Sequence, residues 1–264
     1  MRSPRHAADR LRQGYGGPPK LSAKADAIVL PRPAPSPALL PVYQAIVTCR
    51  RCPRLRAHCQ RVATIKKAAF RDQTYWGRPV PGFGDPRARV LLIGLAPAAH
   101  GANRTGRVFT GDGVGGSSDF LMRALHANGL ASQPTSRDPH DGLELTGAYI
   151  AAAARCAPPG NKPTSRELEC CRPFLEAEWN ALPDIRVVVC LGRIAFGICW
   201  RVLADRGFDV RPRPAFAHGG HYPVAGGPHV LAAFHPSRQN TNTRRLTPSM
   251  LEAVFAEART LAWP

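Results

Sequence analysis

The sequence predicts an α/β fold: a parallel sheet covered by helices on both faces. Four short apolar runs, Arg89–Ile93, Ala148–Ala153, Val187–Leu191 and Val230–Phe234, have the length and composition of buried strands. Each is followed by a loop rich in glycine, proline or polar residues and then by a helical pattern. Strands separated in this way by helices pair in parallel, because the intervening helix provides the crossover.

Taken in order, residues 1–40 carry seven Lys or Arg, two Asp and many prolines, without an amphipathic period. They read as a largely disordered basic arm ending in PRPAPSPALLP, with a single domain expected over 41–264. From Val42 the pattern is helical and is expected to continue through Cys49 and Cys52 to about Ala69. Between Cys49 and Arg71 stand eight Lys or Arg and no acidic residue, a one-sided face suited to phosphate.

The first strand runs into Gly94–Asp112, GLAPAAHGANRTGRVFTGD, which has neither helical nor strand period. Its small residues bring backbone close to a ligand, and its two arginines set positive charge around it. The helix that follows, Asp119–Leu125, stops at Asn128-Gly129. After the second strand come RCAPPGNKP and a helix opened by Thr164-x-x-Glu167, a capping box. The third strand leads through Gly192 into a helix reaching Trp200. The fourth leads through HPSRQNTNTRRL to a last helix, with Thr247 as cap and Pro248 in its first position. In a parallel sheet the carboxyl ends of all strands share one edge. The loops GLAPAAHG…GD, RCAPPGN, LGR and HPSRQN therefore meet there and form the candidate site.

Composition narrows the class. A chain of 264 residues buries one substantial core. Its 36 Lys and Arg against 18 Asp and Glu give a formal charge of +18, which favours a polyanionic partner, nucleic acid before an anionic membrane surface. Part of that excess also follows from an Arg-, Ala- and Pro-rich composition. The apolar runs are too short to span a membrane, and the basic N-terminus lacks the apolar core of a secretory signal. Eight cysteines in such a chain point to metal or cluster chemistry in a reducing cytoplasm, rather than to disulfides. Cys49-x2-Cys52 opens the domain, and Cys156 and Cys171 lie with fourteen residues between them. Four such thiolates hold a zinc ion or an iron–sulfur cluster. Cys170, Cys190 and Cys199 read as core thiols, with Cys59 and Cys170 the competing candidates for a ligand position.

Three separated motifs occur together in order: GLAPAAHGANRTGRVFTGD, Cys49-x2-Cys52 with RCAPPGN…CCRPFL, and HPSRQN. In combination they resemble the family 5 (type B) uracil-DNA glycosylases of bacteria and archaea, over roughly Val42 to the C-terminus. The resemblance implies a three-layer α/β/α sandwich around a four-stranded parallel sheet. It implies a structural [4Fe–4S] cluster on Cys49, Cys52, Cys156 and Cys171, and no catalytic metal. The implied activity is removal of uracil from DNA by hydrolysis of the N-glycosidic bond, the first step of base excision repair. Hypoxanthine and ethenocytosine are expected as further substrates. The implied partner is DNA carrying such bases, acted on by a monomer in the cytoplasm at the nucleoid.

Enzymes of this kind flip the base out of the stack into a pocket. The resemblance puts Phe109 against the extruded base and His235 at the uracil oxygen, where a donor aimed at developing charge is worth about 2.7–4 kcal/mol. Ser237, Arg238, Gln239 and Asn240 resemble the loop that probes the duplex, with Arg104 and Arg107 pairing with phosphates or shaping the pocket. Leu95 and Ala96 occupy positions where other families of the superfamily carry Asp, Asn or Glu, so water is positioned from elsewhere. Asn103 is the first candidate and Asp112 the second. Small residues at Ala96 and Ala98 leave room for bases larger than uracil.

Three other readings remain. A family 4 glycosylase is disfavoured by Leu95, where that family carries Glu. A non-catalytic cysteine-metal DNA-binding protein would use the same basic faces without turnover. A phosphate-handling enzyme is suggested by the glycines and proline after the first strand, but GxxxxGK[ST] is absent.

Overall fold

A computed structural model describes residues 36–264. The arm read from residues 1–40 lies outside the described residues except for its last five, and of these Leu39 is buried against the domain. The domain opens with helices α1 (Leu40–Val47) and α2 (Pro53–Ile65). The sequence pattern reads as one continuous helix here. The chain breaks it because Pro53 has no N–H to donate into a continuing ladder and instead starts a new helix as its first residue. The break leaves Cys49 and Cys52 in the turn between the two helices.

The remaining order is β1 (Phe83–Gly84), β2 (Val90–Gly94), α3 (Ala102–Thr105), α4 (Ser117–Ala127), β3 (Ala148–Ala152), α5 (Ser165–Asn180), β4 (Val187–Leu191), α6 (Arg193–Asp205), β5 (His221–Pro223), β6 (His229–Ala233), α7 (Arg238–Asn242) and α8 (Pro248–Ala262). The sheet runs β1-β3-β2-β4-β6-β5. Its four central strands are parallel, in the register Leu92↔Ile150, Leu92↔Val189 and Val189↔Leu231. The short edge strands β1 and β5 are antiparallel additions to the four-stranded sheet expected from sequence. At two and three residues, they are too short to produce an alternating pattern.

Alternate residues of each central strand face opposite layers. Val90, Leu92, Ile150, Val189 and Leu231 pack with Leu121 and Leu125 of α4 and Leu251 and Phe255 of α8. Leu91, Ile93, Ala151, Val188 and Ala232 pack with Leu175 and Trp179 of α5 and Phe196 and Leu203 of α6. Each fully buried Leu, Val or Phe contributes about 1.5–3 kcal/mol relative to exposure. The helix starts follow the sequence. Thr164 and Glu167 make the reciprocal capping box of α5, and the Thr247 hydroxyl accepts the Met250 N–H at 3.3 Å to cap α8. The outcome is the expected three layers, helix on sheet on helix.

Candidate active site

The carboxyl ends of β2, β3 and β6 open on one cleft. Its wall includes Gly94, Ala96, Ala98, Phe109, Asp112, Ser118, Ala152 and His235. Of the four loops expected at this edge, those after β2 and β6 line the cavity, while β3 contributes its last residue, Ala152, and neither RCAPPGN nor LGR adds a wall residue.

Phe109 sits in the left-handed backbone region, with φ +46°. A bulky residue there is a genuine outlier, and the surrounding structure must hold it in place. Gly94 makes room for it: a Cβ at that position would stand 2.9 Å from Phe109 Cε2. The ring is thus turned towards His235, with ring centroids 5.9 Å apart and planes inclined by 30°.

His235 follows β6, and its loop is fixed through its own carbonyl. That oxygen accepts the Ser237 N–H at 2.7 Å and the Asn240 Nδ2–H at 2.8 Å. Burial holds the imidazole down to a pKa of about 4, with Asp112 nearby opposing the shift. At neutral pH the ring is uncharged and offers one N–H donor.

Asp112 stands in the wall of the same cleft. Its two carboxylate oxygens accept the Ser118 N–H, at 3.2 and 3.3 Å, at the start of α4. A Cβ on Gly116 would come within 2.7 Å of this carboxylate, so only glycine lets the loop pass.

The other residues expected at the site divide. Ala96 and Ala98 line the cleft with Phe109, whereas Leu95 does not and packs into the sheet layer that faces α5 and α6. Asn103 is fully buried outside the cleft wall, where its Nδ2 donates to the Cys59 carbonyl at 3.3 Å and the Ala99 carbonyl at 3.4 Å. Its Nδ2 braces the loop against α2, while its Oδ1 is buried without a hydrogen-bond partner; of the two candidates only Asp112 stands in the cleft wall. Arg104 and Arg107 are buried as well. Arg104 donates to the carbonyls of His100 and Gly111 and lies over the Phe70 ring at 4.0 Å. Arg107 binds Asp141 at 2.9 Å, with Thr110 and Ser136 alongside. Both guanidinium groups tie the loop together from buried positions. In the last loop, Arg238 and Gln239 are exposed, Ser237 caps α7 through the Asn240 N–H, and Asn240 holds His235.

Pro97, Ala102, Val108, Thr110, Ser117 and Ser118 complete the wall, and none of them stands out as a site residue in the sequence. The two serines sit where the chain turns into α4. Their signal was the N-terminal helix position, which in the sequence reads as capping alone.

Cys49, Cys52, Cys59, Cys156 and Cys171 gather close to Ala99 of the first loop, whereas Cys190 and Cys199 are buried in the sheet layer that faces α5 and α6. Cys52 and Cys171 are within hydrogen-bonding reach of each other, as are Cys59 and Cys156, and Cys49 lies near Cys171. Cys59, fully buried against Cys156, thus joins the thiol cluster. Among the described residues no group of three or more His, Cys, Asp or Glu converges closely enough to hold a metal ion. The donor set is nonetheless all thiol, the chemistry that suits zinc or iron–sulfur. Beside Cys171 stands Arg155, paired with Glu178 at 2.6 Å, with both side chains almost wholly buried. Its Nε and Nη1 are buried without a partner, which matches an anionic group at the thiols.

Comparisons with known proteins agree with this geometry. Residues 81–259 match the family model of the uracil DNA glycosylase superfamily. The type-5 uracil-DNA glycosylase of Thermus thermophilus is 53% identical over 219 residues, 83% of this chain and 96% of that protein. The type-5 enzyme of Mycobacterium tuberculosis is 50% identical over 82% of this chain and 79% of its own length. The type-4 uracil-DNA glycosylase of Archaeoglobus fulgidus is 31% identical over only 44% of this chain and 49% of that protein. The chain belongs to the type-5 uracil-DNA glycosylases, within the uracil DNA glycosylase superfamily.

Proposed function

We propose that this protein excises uracil from DNA by flipping the base into the cleft and hydrolysing its N-glycosidic bond. The observation that carries the reading is the convergence of Phe109, His235 and Asp112 on one cavity at the sheet edge. The flipped base stacks on Phe109. As the bond to C1′ breaks, negative charge grows on the uracil, and the uncharged His235 ring donates its N–H to the uracil oxygen. A neutral donor suits this task, since it stabilises the leaving anion without handing over a proton early. The water that captures the sugar cation gives its proton to Asp112.

The small Ala96, Ala98 and Ala152 in the wall support a pocket that also takes hypoxanthine and ethenocytosine. The exposed Arg238 and Gln239 are the residues of HPSRQN available to the duplex, while Ser237 and Asn240 hold that loop in shape. A [4Fe–4S] cluster would be held by Cys49, Cys52, Cys156 and Cys171, with Cys59 the nearest competing thiol. Support comes from the all-thiol donor set and from the unpartnered guanidinium atoms of Arg155. When bound, the cluster supplies a structural link between the α1–α2 turn, the loop after β3 and α5. The enzyme is read as a monomer acting at the nucleoid in the cytoplasm; no helix among the described residues is long and apolar enough to cross a membrane.

A panel of duplexes containing uracil, hypoxanthine or ethenocytosine tests the reading. Free base released from all three supports it, and release of uracil alone confines the pocket to uracil. No release from any of them refutes it.

A further inference from the structure

Ser118 is the second residue of α4 and part of the cleft wall, yet its hydroxyl is idle. The residue is 1% exposed, and its Oγ has no hydrogen-bond partner. A hydroxyl buried without a partner is destabilising, and alanine would fill the same place without that penalty. Among the unpartnered buried side-chain atoms of the described residues, Ser118 Oγ is the one that belongs to a residue of the cleft wall, which fits a group bound there during the reaction.

Its surroundings say what. The Ser118 backbone N–H donates to both oxygens of Asp112, which ties this residue directly to the carboxylate facing the cleft. The hydroxyl proton is free to rotate, and one rotamer step about the Cα–Cβ bond moves Oγ to a new side of the residue. We infer that Ser118 is a second water-positioning residue, acting beside Asp112. This rests on the uracil-excision reading above.

In the reacting complex, the water donates one O–H to Asp112 and the other to Ser118 Oγ, which leaves a lone pair directed at C1′. The N-glycosidic bond breaks with its electron pair going to the base, where His235 receives the charge. The water oxygen forms the new bond to C1′, and its proton passes to Asp112. Ser118 transfers no proton; it fixes the direction of attack. Two acceptors define the orientation of a water molecule where a single carboxylate leaves it free to rotate, and misdirected attack is costly in rate.

The test is Ser118→Ala in single-turnover release of uracil, with thermal melting of the same samples. Loss of positioning lowers the maximal rate about tenfold with little change in the substrate concentration needed for half-maximal rate. Loss of the idle hydroxyl leaves Tm equal to the wild type or raises it. In an Asp112→Asn background, Ser118→Ala should cost much less than its tenfold effect in wild type, because the two residues hold one water. A lower Tm for Ser118→Ala, a rate within twofold of wild type, or an undiminished loss in the Asp112→Asn background each overturns the inference. Wild-type protein that releases no uracil overturns the glycosylase reading and this inference with it. An active wild type with an unaffected Ser118→Ala overturns this inference alone.

Discussion

Phe109 and His235 face one another across the mouth of the cleft, their ring centroids 5.9 Å apart, although they come from loops on different strands. The aromatic plane on which a base would stack and the N–H that would receive its charge are thus set by one contact. Removing the ring in Phe109→Ala forfeits base stacking, worth about 1–3 kcal/mol. The efficiency of uracil release should fall about fivefold to 150-fold, read as the ratio of maximal rate to half-saturating concentration. Gly94→Ala should mimic part of this defect, since the added carbon lands 2.9 Å from the Phe109 ring. Wild-type rates for both variants would remove Phe109 from the base pocket.

The His235 imidazole, held down to about 4 by burial, makes a pH prediction. Its folded pKa lies below the ordinary histidine value, so the folded state resists protonation. Its contribution to stability is complete above about pH 6.5 and is lost as pH falls towards 4. Activity should likewise persist from pH 8 down to about 5. A pH–rate profile that bends near 6.5, and loses that bend in His235→Ala, would falsify the neutral-donor role.

Arg107 should prove to be a stability residue. Its guanidinium and the Asp141 carboxylate are 5% and 13% exposed, so Arg107→Ala strands a charge within the fold. Breaking a buried pair from one side costs about 3–5 kcal/mol, which lowers Tm by about 10 °C in a domain of this size. Burial pushes Asp141 up, but Arg107 and the N–H groups of Leu143, Arg137 and Asp138 outweigh it and hold its pKa below the usual carboxylate range. This stabilisation is present above the ordinary carboxylate pKa and is lost as pH falls through the lower folded value. A phosphate-contact role would appear instead as a shallower salt dependence of DNA binding at unchanged Tm.

Much of this molecule is readable from its residues, and what is not readable has identifiable causes. The four central strands are buried on both faces, so they appear as plain apolar runs such as Val187–Leu191. Thr164, Glu167 and Thr247 cap helices because capping is a local interaction. The α1–α2 break is hidden in the sequence because the apolar period is continuous across it, while Pro53 fits a helix start as well as a helix end. The loop residues were harder. Asn103, Arg104 and Arg107 are polar side chains in a stretch whose sequence shows no apolar period, and such a pattern suits a ligand site and a buried brace equally. Only tertiary contacts with Cys59, Phe70 and Asp141 distinguish the two.

Glu178 is predicted to be a major contributor to stability. Its carboxylate holds Arg155 at 2.6 Å and accepts the Gly82 N–H at 2.8 Å, joining α5, the loop after β3 and the segment before β1. Glu178→Ala leaves a buried guanidinium unpaired, a loss of about 3–5 kcal/mol. Denaturant titration should show a midpoint well below wild type. If a cluster occupies the neighbouring thiols, the brown absorbance of purified protein should fall with it, and Cys52→Ser should abolish that absorbance outright.

The most direct measurement is single-turnover release of free uracil from a uracil-containing duplex by wild type, Asp112→Asn and His235→Ala. The account predicts that wild type frees uracil and leaves an abasic site, and that each variant is slower by about 10²–10³-fold. Absence of released uracil with wild type, or variants that match its rate, would contradict it.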